Sequence, residues 1–260
     1  MGINYFWKQI LNFLHVLGEL GRFSMRFFTS LFVPPFEFKE IWRQTYNMGY
    51  KTLFLVSITI FIISLVITIQ LTPRMEDLGA VAIVPNLLAV SLIREVGPVI
   101  TALVCTGKIG SGIGAELGSM KVTEQIDAME VTRVNPYKYL VVSRVLAATI
   151  ALPLLVTYAF AVGLAGSYIA YNMERDMSLT LFFQSAFTNM DVFDITPSIV
   201  KSVLFGFSIA MIASFYGFNT SRGANGVGKA ANSAVVTTFF VIFFIDLLFA
   251  QITHMLTSKM

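Results

Sequence analysis

Hydrophobic positions along the chain come in blocks of about twenty, separated by short polar stretches. The cleanest block is Thr52–Leu71, twenty residues without a charge, enough to cross about 30 Å of hydrocarbon as a helix. Pro73 and the cluster Arg74–Asp77 are expected to close it. A second span runs from about Pro85 to Gly107 and a third from Tyr139 to about Tyr171. The fourth covers roughly Ser198–Phe218 and the fifth roughly Ala231–His254. Ahead of these lie two segments of a different kind. Ile3–Phe32 is interrupted by Lys8, His15, Glu19, Arg22 and Arg26, so its uncharged runs are too short to span, and its alternation of aromatic and basic residues suits a helix lying in the interface. Pro34 and Pro35 are expected to end it. Phe36–Tyr50 sets Phe38, Ile41, Trp42 and Tyr46 against Lys39, Glu40 and Arg43 and reads as an elbow into the membrane.

Together these elements predict an all-α integral membrane protein. Interfacial and elbow helices occupy 1–50, five spans occupy 51–256, and a cytoplasmic loop covers 108–138 with a short helix inside it. Composition agrees, with 56% hydrophobic and 13% charged residues and a mean hydropathy of +0.74, about half the charge of a soluble domain. Charge placement orients the chain. With the N-terminus in the cytoplasm, inside segments hold thirteen Lys and Arg, and outside segments hold only Arg74, Arg175 and Lys259 against Glu76, Asp77, Glu174, Asp176, Asp191 and Asp194. The C-terminus then lies outside. No basic leader or small-residue cleavage site precedes the first block, so no signal peptide is expected. The lone Cys105 sits in an apolar run and reads as a small core residue.

Four features carry candidate chemistry. Gly223–Ala230 nearly matches a phosphate-binding loop, but Ala230 stands where the magnesium-binding hydroxyl belongs and a membrane span precedes it in place of a strand. It is expected to be a flexible turn, which leaves the chain without an ATP site of its own. Gly110, Gly114 and Gly118 recur every fourth residue, a smooth face for close helix packing. Within Val122–Val131, Val122, Ile126 and Met129 form an apolar stripe, and Glu124, Asp127 and Glu130 an acidic one. This fits either a plain solvated helix or one that docks a basic partner. Finally, Arg94, Glu95, Lys201 and Asp246 lie inside the apolar spans. Counting from Lys108, Asn219 and Ala230, Arg94 falls about 21 Å deep, Asp246 about 24 Å and Lys201 about 27 Å, in one layer of the outer half of the bilayer. Charges at that depth are paired and often functional. Glu95 is expected to pair with Lys201, and Asp246 to lie near Arg94 or Lys201. His15 and His254 are too far apart in topology to share a metal, and neither metal nor nucleic acid is expected as a ligand.

Arg94–Pro98, Ala115–Glu130, Arg144-Val-Leu-Ala and Gly217–Gly228 resemble the MlaE/YrbE permease family, over about Phe36 to His254. Ser143 and Asn225 depart from its usual proline and glutamate. The resemblance implies a membrane subunit of an ABC transporter that moves phospholipids or related lipids across the bacterial envelope. It implies an inner-membrane homodimer with two cytoplasmic ATPase subunits, which bring the ATP and Mg, and a periplasmic MCE-domain protein as carrier. Glu124, Gln125, Ile126, Asp127 and Met129 would couple to the ATPase, and the buried charges would shape a lipid cavity. The alternatives are an ion-coupled secondary transporter using the same charges, and an intramembrane lipid enzyme, for which the sequence places no suitable histidine.

Overall fold

The computed structural model describes residues 2–34, 36–188, 190–221 and 223–257. Pro35, Arg222 and Lys259 lie outside the described residues, as does the side chain of His254. The described chain is helical with no strand, in eight helices. Helix α1 is Gly2–Leu31 and α2 is Phe38–Asp77. Helix α3, Val81–Val122, opens on a 3-10 turn and carries π-helical segments at Leu92–Val96 and Thr106–Gly110. Helix α4 is Gln125–Val131, and α5 is Tyr137–Glu174, π-helical over Tyr137–Val142. Helix α6 is Leu179–Phe187, α7 is Val192–Phe218 and α8 is Ala224–Thr257. Five of these, α2, α3, α5, α7 and α8, are long and apolar enough to cross a membrane.

Every span outruns its apolar block. The elbow and the first span are one helix, and Pro73 lies inside it. A proline removes a single backbone hydrogen bond, which a long apolar helix tolerates. The glycine-rich stretch after Gly107 does not leave the second span but extends it to Val122. The loop expected over 108–138 therefore shrinks to the residues around α4. Likewise Ala224–Ala230 forms the first turns of α8 rather than a flexible turn. Only Gly223, at φ +92°, takes the left-handed conformation there, and glycine adopts that without a steric cost.

The core is built from small residues at regular spacing. On α2 the buried positions Met48, Thr52, Val56, Ile60, Ser64, Thr68 and Thr72 recur every fourth residue and face α5, its main neighbour. Lipid offers no hydrophobic drive between apolar helices, so close fit and satisfied polar groups must hold them. The hydroxyls of Thr68 and Thr72 donate to the carbonyls of Ser64 and Thr68, at 2.8 and 2.9 Å. Helix α7 is the most buried span and α8 the least. The C-terminal part of α3, Ser111–Val122, packs against both.

Gly110, Gly114 and Gly118 use this arrangement. A Cβ on Gly114 would stand 3.2 Å from the Ala231 Cα, one on Gly118 2.9 Å from the Thr220 hydroxyl, and one on Gly110 3.5 Å from Ile209. The stripe thus packs inside the protomer, against α7, α8 and the turn between them. A tighter backbone approach between two spans lies elsewhere. A Cβ on Gly206 of α7 would fall 2.5 Å from the Ala148 carbonyl oxygen of α5. Gly206→Val should force the two helices apart and lower stability by about 1–3 kcal/mol. Thermal unfolding of the detergent-purified protein measures this, and an unchanged midpoint would show that the helices separate freely.

Candidate functional site

The motif Arg94-Glu-Val-Gly-Pro98 sits where α3 widens into its first π-helical turn. The Gly97 amide reaches back five residues to the Leu92 carbonyl. A Cβ on Gly97 would lie 2.5 Å from that oxygen, so the widened turn requires glycine here. Pro98, which has no amide proton to lose, begins the regular helix that follows. Single π turns inside α-helices recur at functional sites. This one carries two adjacent charges that find separate partners.

Glu95 faces α7 and α8. The Lys201 Nζ donates to Glu95 Oε2 at 2.7 Å and to Asp246 Oδ1 at 2.7 Å. The Lys201 side chain is only 2% exposed, Asp246 is 23% exposed and Glu95 48%. One ammonium is thus held between two carboxylates from different spans, and the excess negative charge lies on the accessible side, at Glu95. The pairing expected for Glu95, Lys201 and Asp246 is the geometry found.

Arg94, placed in the same layer by its depth, does not join this cluster, a correction to the expectation of four charges held together; of the two partners expected for Asp246, it meets Lys201. The Arg94 guanidinium pairs with Asp194 in the first turn of α7. Asp194 is buried and also completes a capping box, its carboxylate accepting from the Asp191 amide at 3.0 Å. Counting Asp191 and Asp194 only as outside acids hides this role. The visible signal is the pair of acids three residues apart immediately before an apolar run, a helix-start signature. Arg144 is a second charge whose partner the sequence did not suggest. It is buried and donates to Glu116 on α3 at 2.8 Å and to the Leu140 carbonyl at 2.9 Å.

The second candidate site is α4. At seven residues it is shorter than expected, because Val122 ends α3 and Glu124 is a turn rather than part of the helix. Glu124 and Arg133, on either side of it, hold φ of 59° and 60°. Such backbone costs on the order of 1–3 kcal/mol and persists only where the surroundings impose it. Ile126 is the buried anchor and Met129 is partly buried. Glu124, Gln125, Asp127 and Glu130 face outward. The outward face is not purely acidic, since the Lys121 Nζ donates to Asp127 Oδ1 at 2.8 Å. Among the described residues no group of His, Cys, Asp and Glu side chains is arranged to hold a metal ion.

The chain that carries these two features is similar to known proteins. A family model described as Permease MlaE matches residues 41–252. A probable ABC transporter permease protein of Rickettsia typhi is 32% identical over 96% of both chains. Another, of Synechocystis, is 37% identical over 77% of this chain and 76% of its own. The chloroplastic protein trigalactosyldiacylglycerol 1 of Arabidopsis thaliana is 35% identical over 79% of this chain and 60% of its own.

Proposed function

This chain belongs to the MlaE permease family, and from that premise we propose that it is the membrane subunit of an ATP-driven transporter of phospholipids or related lipids. Its relatives include probable ABC transporter permease proteins, and the Arabidopsis relative bears the name of a glycerolipid. In this reading the chain works as a homodimer in the bacterial inner membrane. Two ATPase subunits bind on the side of α4, and an MCE-domain carrier binds on the opposite side. ATP and magnesium stay with the ATPase.

The observation that carries the reading is the exposed pair of adjacent charges on the widened turn of α3. Arg94 and Glu95 are adjacent, each about half exposed, and each is fixed from behind by a buried partner of opposite sign. A guanidinium has five N–H donors and a carboxylate about four acceptor sites, so both retain capacity after pairing. Together they offer both signs to a polar headgroup while apolar helix surface adjoins the acyl chains. Movement of α4 with an ATPase would reach this layer along α3, which runs from the layer to the turn at Thr123 and Glu124 that leads into α4.

Co-reconstitution with the ATPase subunits into vesicles carrying fluorescent phospholipid tests the function. Lipid movement should require hydrolysable ATP and continue after the proton and sodium gradients are collapsed. Movement driven by a gradient without ATP would favour the ion-coupled transporter instead. Orientation has a separate test. Cys105 is wholly buried, so cysteines introduced at Lys121 and Arg175 can be labelled from one side at a time. Lys121 should label from the cytoplasm and Arg175 from the periplasm; labelling of both from one side would overturn the topology.

A further inference from the structure

Away from the charge cluster, at the elbow where α1 ends and α2 begins, one ammonium group is buried without a counter-charge. The Lys138 side chain, in the π-helical opening of α5, is only 8% exposed. Its Nζ is shut off from solvent and has no hydrogen-bond partner among the described residues. Among the described residues it meets the face of Phe36, 5.4 Å from the ring centroid. Such a contact is worth far less than the solvation a buried ammonium gives up. Glu37 stands on the same cavity wall, yet among the described residues it gives the Lys138 ammonium no hydrogen bond.

The cavity around this group is about 270 Å³, near the lower end of the range for small-molecule sites and on the scale of a headgroup. Apart from Ser143, whose hydroxyl donates to the Tyr139 carbonyl, its remaining wall is apolar, from Leu31, Phe32, Phe38, Ile41, Val142 and Leu146. A free inorganic phosphate would be desolvated against phenyl rings with a single cation to hold it. A phospholipid brings an anionic phosphate for the ammonium and hydrocarbon for the rest of the wall. The cavity lies between the interfacial helix and the helix that enters the membrane, where lipid is the surrounding solvent.

We propose that the elbow cavity holds one anionic phospholipid molecule of the adjacent leaflet, its phosphate on the Lys138 ammonium once the Phe36 ring beside it turns aside, and its first acyl segments against Ile41, Val142 and Leu146. The orientation proposed above makes that leaflet the cytoplasmic one; the site itself does not depend on transport. It is a resident lipid site that fixes the elbow, separate from the Arg94–Glu95 layer.

Native mass spectrometry of the full chain, released from nanodiscs of mixed phosphatidylglycerol and phosphatidylcholine, tests this. The unaltered protein should retain about one phosphatidylglycerol per protomer in preference to phosphatidylcholine. Lys138→Met should weaken that retention roughly tenfold, the scale of one charge-assisted hydrogen bond, and Lys138→Arg should keep it. Ile41→Trp, which fills the apolar wall and leaves the charge, should lower retention as well and serves if Lys138→Met does not fold. Glu37→Gln should leave the preference intact. Equal retention by the unaltered protein and Lys138→Met would overturn the proposal. So would the same preference surviving competition by acyl chains but abolished by inorganic phosphate. Retention that follows Lys201→Met instead of Lys138→Met would assign the lipid to the transport layer and end this inference while sparing the transport reading. Loss of ATP-driven transport with Lys138-dependent retention unchanged would count against the transport reading alone.

Discussion

Lys201→Met should abolish transport and destabilise the membrane domain more than any other single change in the charge layer. Methionine matches the apolar part of the lysine stem, so the packing of α7 is nearly kept. What is lost is the ammonium that separates the Glu95 and Asp246 carboxylates. Breaking a buried pair by removing one partner costs about 3–5 kcal/mol. The half-exposed Glu95 reduces that figure, because water reaching it screens the charge; Asp246, less exposed, bears most of the cost. The exchange Glu95→Lys with Lys201→Glu keeps the number of charges and should recover part of the transport that Glu95→Lys alone abolishes. ATP-driven lipid movement in vesicles and thermal unfolding in detergent measure the two effects. If the exchanged double variant is no better than Glu95→Lys, the layer needs these charges at fixed positions rather than as a pair.

Asp127→Lys should uncouple ATP hydrolysis from transport while leaving the membrane domain folded. Ile126 holds α4 from beneath, so the outward Asp127 can change sign without unseating the helix. The change also breaks the contact with Lys121, which is why Lys121→Glu combined with Asp127→Lys is informative. That variant restores an ion pair of reversed polarity within the chain but presents the wrong sign to a basic partner. Surface pairs of this kind contribute only about 0.2–1 kcal/mol, so stability should barely differ among the three proteins. Transport should stay lost in the double variant if Asp127 meets the ATPase. Full recovery would mean that the Lys121 contact alone matters. Co-purification of the ATPase with each variant measures attachment independently of turnover.

The five spans were legible because an uncharged run of twenty residues such as Thr52–Leu71 has almost no other stable setting. Their ends were not, and the reason is physical. Hydropathy marks where lipid stops, whereas a helix stops where its backbone bonding stops, and Lys108–Val122 continues the bonding through polar sequence. The Glu95–Lys201 contact could be inferred by elimination, since few ionisable residues share that depth. Arg94 defeated the same argument because its partner lies at a helix start on the boundary, where a charge count assigns it to solvent. Helix α6 was hidden in an apparent loop; its start is marked only by Ser178, whose hydroxyl accepts from the Leu181 amide. The π-helical turns leave no periodic trace at all. Only the Gly97-Pro98 pair hints at one, and the lone Lys138 gives no sign in sequence that its ammonium is enclosed.

The unbroken helix Phe38–Asp77 has a mechanical consequence. Forty residues make a rod about 60 Å long, twice the hydrocarbon thickness, so a large part of it stands beyond the bilayer or lies oblique to it. With no flexible joint at the elbow, the rod turns as a lever about its contact with α5. A few degrees of tilt at Thr72 become a displacement of several ångströms at Phe38, and the reverse holds equally. Anything that grips or releases the Phe38 end therefore sets the spacing of the spans at the far face.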